Sequence, residues 1–152
     1  MKKFLTGVSA AALALAGAVM TAPAAQSTVS VPPPYQLVTN CPGGLVAGFP
    51  KYLTNSQGDQ QGRLFLYYSS ANGGTNCAKV YDDASGSHNM SVRMRRDDLS
   101  YQGSDSGYYS TYAGGVLVTS SNGKCIYVSG TLSMGSHSIN QFRGSWGPVA
   151  CG

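Results

Sequence analysis

The chain has 152 residues, with ten Lys and Arg against six acidic side chains and a formal charge of +4. All six acids are Asp, and the composition is rich in Gly, Ser, Thr, Tyr and Val, which favour turns and strands over long helices. That excludes a helical bundle or coiled coil, and the weak positive charge gives no reason to expect a nucleic-acid partner.

Lys2 and Lys3 precede an apolar run from Phe4 to Met20 and a small-residue site at Ala22-Pro23-Ala24. This order reads as a secretory signal peptide over residues 1–24, and the run is short for a membrane anchor. Cleavage after Ala24 leaves residues 25–152, one domain's worth, with a formal charge of +2 and no membrane attachment. Residues 25–40 begin AQSTVSVPPP and read as a proline-rich spacer, with a first short strand at Tyr35 to Thr39 leading into Cys41. A disulfide-bridged β domain is expected over 41–152.

Within that domain, Leu64 to Tyr68 and Cys77 to Tyr81 flank the loop SSANGGTN and predict a hairpin. Leu64 and Leu66 share one face while Phe65 and Tyr67 share the other, so both faces of this strand are expected to be covered. Met90 to Arg96 alternates Met90, Val92, Met94 and Arg96 against Ser91, Arg93 and Arg95, the pattern of a strand with one wet face. Asp97 and Asp98 follow directly, so the arginines read as a solvated strand face. Val116 to Val118 and Ile126 to Val128 flank Asn122-Gly123, which predicts a central hairpin with a type I′ turn and pairs such as Val118 with Tyr127. Ile139, Phe142, Trp146 and Val149 then lay a last segment across the core. The fold class expected is all-β: a small antiparallel β-sandwich or partly closed barrel.

Cys41, Cys77, Cys125 and Cys151 form an even set in an exported chain, which predicts two disulfides. Their spacing offers no close pair for zinc, and no metal or other cofactor is expected. Three connectivities are possible. The preferred one joins Cys41 to Cys151 across the ends of the domain and Cys77 to Cys125 between the two hairpins.

Ser104-Asp105-Ser106-Gly107 is similar to a serine-protease nucleophile stretch, but no His base stands in a matching context, and Asp105 reads as a turn residue before a strand at Tyr108. His88 and His137 lie in similar Gly-Ser settings and read as solvated loop histidines. Tyr101, Tyr108, Tyr109 and Tyr112 stand among Ser, Gly, Thr and Asp, a mixture used by recognition surfaces. Period-two alternation separates Tyr109 from Tyr108, and Tyr101 and Tyr109 are the pair expected to be exposed for binding.

Gly62-Arg63-Leu64-Phe65-Leu66-Tyr67-Tyr68, Asn76-Cys77, the run from Asp105 to Val116, Gly123-Lys124-Cys125 and the closing Cys151-Gly152 resemble the spore-associated protein A family of actinomycetes. The resemblance covers about 41–152. It implies a small secreted protein without enzymatic activity, placed at a spore or cell-wall surface. An extracellular binding module, either a hydrolase inhibitor or a cell-wall glycan binder using the Tyr-rich loop, is the alternative. Nothing in the sequence sets the oligomeric state.

Overall fold

The computed structural model describes residues 35–152; the expected signal peptide, residues 1–24, and residues 25–34 of the expected spacer lie outside the described residues. Ten antiparallel strands form one sheet: β1 (Tyr35–Leu37), β2 (Gly44–Leu45), β3 (Lys51–Thr54), β4 (Gln60–Ser69), β5 (Thr75–Tyr81), β6 (His88–Arg96), β7 (Gln102–Tyr109), β8 (Tyr112–Val118), β9 (Ile126–Ser133) and β10 (Gln141–Val149). Their order is β1-β8-β5-β4-β3-β10-β9-β6-β7, with β2 paired to β4, and the sheet curls into a nearly closed barrel. The all-β expectation is met, as a barrel rather than a sandwich.

Alternation builds the interior. Leu64 and Leu66 of β4, Ala78 and Val80 of β5, Met90, Val92 and Met94 of β6, Val128 and Leu132 of β9 and Phe142 of β10 all point into one buried cluster. The β4–β5 hairpin forms as predicted, with Tyr67 opposite Cys77 and Phe65 opposite Lys79. Its outer face is covered too. Lys79 is only 5% exposed; its ammonium donates to the Thr39 carbonyl at 2.5 Å and sits 3.8 Å from the centre of the Tyr112 ring. The carbonyl and the ring's negative face offset part of the cost of burying that charge. Phe65, Tyr81 and Tyr112 continue this cover, their rings tilted against one another by 71° and 43°, so they pack together rather than present a flat platform.

The predicted central hairpin does not exist. β8 lies between β1 and β5, and β9 between β10 and β6, so the two apolar runs stand in different walls. The Asn122-Gly123 turn does form, with Lys124 N–H donating to Ser121 O at 3.1 Å, but of its two central residues only Gly123 has positive φ. A type I′ turn needs both. The backbone N–H groups of Ser120, Ser121 and Asn122 instead donate to Asn72, Gly74 and Gly73 of the β4–β5 turn. The loop therefore docks on the neighbouring hairpin and carries the chain across the barrel.

Both disulfides form, but as Cys41–Cys77 and Cys125–Cys151, with Cα atoms 5.5 and 4.1 Å apart, rather than the preferred Cys41–Cys151 and Cys77–Cys125. The strand order dictates this. β10 runs beside β9 with Val149 opposite Ile126, which brings Cys151 to Cys125. The segment after β1 crosses the outer face of β8 and β5, where Val38 and Gly115 exchange both backbone hydrogen bonds and Cys41 meets Cys77. Gly115 must lack a side chain here, because a Cβ would lie 2.8 Å from both sulfurs.

The end of β6 carries a charge cluster. Arg96 is buried on the inner phase of the strand; its guanidinium donates to Asp98 and covers the Tyr101 ring at 4.2 Å. Hydrogen bonds from Ser100, first from its hydroxyl, and the Arg96 guanidinium hold the Asp98 carboxyl at about 2, below its ordinary 3.8. A folded-state value below the unfolded one contributes stability that is complete above the unfolded value and lost as pH falls through the folded one. Carboxyl titration by NMR should place the Asp98 midpoint near 2, and Ser100→Ala should move it up toward 3.8. An unmoved midpoint would assign the shift to the Ser100 backbone N–H and Arg96, which the substitution leaves in place.

Candidate binding face

The outward side chains of four neighbouring strands define one continuous face. On β6 these are Asn89, Ser91, Arg93 and Arg95, since Met90, Val92 and Met94 point inward. The register sets their neighbours. Ser91 faces Ser106 of β7 and Thr131 of β9, and Thr131 faces Arg143 of β10; Arg93 faces Ser104 and Ser129, and Ser129 faces Ser145. Small hydroxyl side chains thus alternate with arginines over a surface that bears no aliphatic side chain.

One end of this face is a pocket. Tyr108, Asn89, Ser133 and Gln141 lie in a row across β7, β6, β9 and β10, and line a polar cavity of about 400 Å³ together with His88 and Met134. Tyr108 is 70% exposed, more than any other large hydrophobic side chain among the described residues. Gln141 is fixed by donating from Nε2 to the Ser133 hydroxyl at 2.7 Å and to the Gly135 carbonyl. Behind the row, His88 Nδ1 lies 2.6 Å from Asp82 Oδ2, and the Asp82 side chain is fully buried and also accepts from Ala84 N–H at 2.8 Å. The carboxylate can only accept, so Nδ1 carries the proton and the imidazole is locked in orientation. A ring face beside fixed amides and hydroxyls is suited to a sugar, whose C–H face packs on an aromatic ring while its hydroxyls exchange hydrogen bonds.

Tyr109, expected to be exposed, points inward, packs against the core and donates its hydroxyl to Asp105 Oδ1 at 2.8 Å. Tyr101, its expected partner, also packs against the core beneath Arg96. The exposed ring is Tyr108. Alternation does part the two rings, but its phase is set by Asp105, which lies within β7 rather than in a turn: its other oxygen accepts Gly114 N–H of β8 at 2.7 Å, turning residues 103, 105, 107 and 109 toward the barrel. That phase also points Asp105 away from the outward Ser104 and Ser106, so they do not assemble a triad. His137 is exposed, as expected, whereas His88 is held by Asp82. The one signal for that pair was the six-residue spacing across a turn-rich loop.

The electrostatics of the face follow from where the carboxylates are. Asp82 and Asp83 bind His88 and Arg63, Asp98 binds Arg96 and Lys124, Asp97 accepts Cys125 N–H, Asp59 pairs with Asn55 and Asp105 points inward. None stands on the face. Among the described residues no cluster of His, Cys and Asp could hold a metal ion, and no helix is long and apolar enough to cross a membrane.

Comparison with protein-family models, with curated proteins and with solved structures gave no match to this chain.

Proposed function

We propose that this chain is a secreted, non-enzymatic protein that associates with the spore or cell envelope, and that it does so by binding envelope glycan on the β7–β6–β9–β10 face. The observation that carries this reading is the exposed Tyr108 ring in line with Asn89, Ser133 and Gln141 at the mouth of a polar cavity. Support for export comes from the signal-like leader and the two disulfides, and support for an envelope location comes from the resemblance to spore-associated protein A. A rigid sheet face loses little entropy when it binds, which suits a weakly charged module of this size.

Tyr108→Ala tests it directly. An aromatic anchor at a binding site is worth about 2 kcal/mol, so retention on purified cell-wall polysaccharide should fall roughly 30-fold. Thermal unfolding should stay within about 2 °C, because the ring stands clear of the core. Recovery of the wild-type protein only in culture medium, with none on washed spores or walls, would overturn the envelope reading.

A further inference from the structure

Resting on that binding reading, we infer that the arginine-bearing part of the face selects a phosphodiester-linked, hydroxyl-rich polymer of the cell surface. Arg93 and Arg95 project from the same side of β6, and Arg143 projects from β10 two strands away. None of the three is in an ion pair among the described residues. Arg93 donates to the Gln102 side chain at 2.9 Å, and Arg95 lies over the Tyr127 ring at 4.2 Å, so each is aimed by a neutral neighbour while its charge stays uncompensated. With every Asp occupied elsewhere, the face is cationic although the domain as a whole is only weakly so. Arginine forks bind phosphate oxygens in pairs, and the guanidinium is cheaper to desolvate than an ammonium.

Spacing and neighbours narrow the class. Alternate residues of a strand lie about 7 Å apart, and strands two apart are separated by about 10 Å, so Arg93 stands about 7 Å from Arg95 and about 12 Å from Arg143 at the backbone. Successive phosphates joined through a three-carbon polyol lie about 7 Å apart when extended, by ordinary bond lengths. Between the arginines, Ser91, Ser129, Thr131 and Ser145 offer hydroxyls to the polyol. Single-stranded nucleic acid has similar phosphate spacing but stacks successive bases on successive rings, and this face offers one exposed ring, Tyr108 at its end, while Tyr127 beside the arginines is covered by Arg95.

The experiment measures binding of the full mature protein to poly(glycerol phosphate), neutral dextran, polygalacturonate and an oligothymidylate, and its retention on purified wall before and after chemical removal of phosphate. Poly(glycerol phosphate) should bind best. The Arg93→Gln, Arg95→Gln, Arg143→Gln triple variant should bind it at least tenfold more weakly and show a salt slope shallower by about two, from three lost phosphate contacts. Arg93→Gln with Arg143→Gln, both exposed positions, gives an intermediate loss and separates binding from folding should the triple variant unfold. Equal retention on intact and phosphate-stripped wall, or unchanged binding by the double variant, overturns the phosphate inference and leaves the glycan reading standing. Absence of retention on either wall overturns both. Tighter binding of the oligothymidylate or of polygalacturonate also overturns it, assigning the face to nucleic acid or to a carboxylate polymer.

Discussion

Replacing Cys41 and Cys77 together by alanine should lower the unfolding free energy by about 5 kcal/mol, against about 3.5 kcal/mol for the Cys125 and Cys151 pair. Loop entropy alone does not separate them: the loops span 36 and 26 residues, a difference of about 0.3 kcal/mol. Burial does. Cys77 is fully buried on β5, whereas Cys151 is exposed and Cys125 only half-buried. Removing the buried bridge empties space against Gly115 and frees the segment from Val38 to Cys41. That segment supplies the Thr39 carbonyl that accepts from Lys79, so the buried ammonium loses an acceptor, an added cost of about 1 to 2 kcal/mol. Denaturant unfolding of the two double variants measures the difference. Losses equal within about 0.5 kcal/mol would show that the bridges act through the unfolded chain alone.

Asp105→Ala should be nearly as damaging, at about 3 kcal/mol and a fall in melting temperature of roughly 10 °C. β7 ends the sheet, and no backbone ladder joins it to β8. The Asp105 carboxylate bonds across this seam, taking Gly114 N–H of β8 on one oxygen while the other accepts the Tyr109 hydroxyl within β7 and holds the carboxylate in place. Deleting it leaves a partly buried N–H without its acceptor and removes a hydrogen bond across the seam between β7 and β8. Asp105→Asn keeps one acceptor oxygen and should lose about half as much, and Tyr109→Phe, which deletes only a hydroxyl, about 1 kcal/mol. Amide hydrogen exchange should quicken along β7 and β8 while β4 and β5 stay protected. A melting temperature within 2 °C of wild type, with unchanged exchange, would show that β7 is held by packing alone.

Much of this architecture was legible because period two is a local property. The inward set Met90, Val92 and Met94, the two-sided β4 strand and even the inward phase of Arg96 follow from alternation within single strands. Tyr108 and Tyr109 show where alternation stops. It says that the two rings part, but choosing which one faces the core needed the bond from Asp105 to Gly114, across a seam between strands that share no ladder. The binding face was harder still, because Ser91, Ser106, Thr131 and Arg143 come from four strands whose adjacency no local pattern encodes.

The sequence by itself determined the all-β class, the two-disulfide count, the β4–β5 hairpin and the wet face of β6, since each rests on composition or on neighbours a few residues apart. Only the tertiary structure decided the strand order, and with it the pairing of the cysteines and the fate of the Asn122-Gly123 turn. That turn looked like a hairpin because both flanking runs were apolar. In the fold its N–H groups are taken by the carbonyls of Asn72, Gly73 and Gly74, and its two strands are each paired on both edges in separate walls. Apolar runs specify burial but not partners, and hydrogen bonds between residues some 50 apart are chosen by the sheet as a whole.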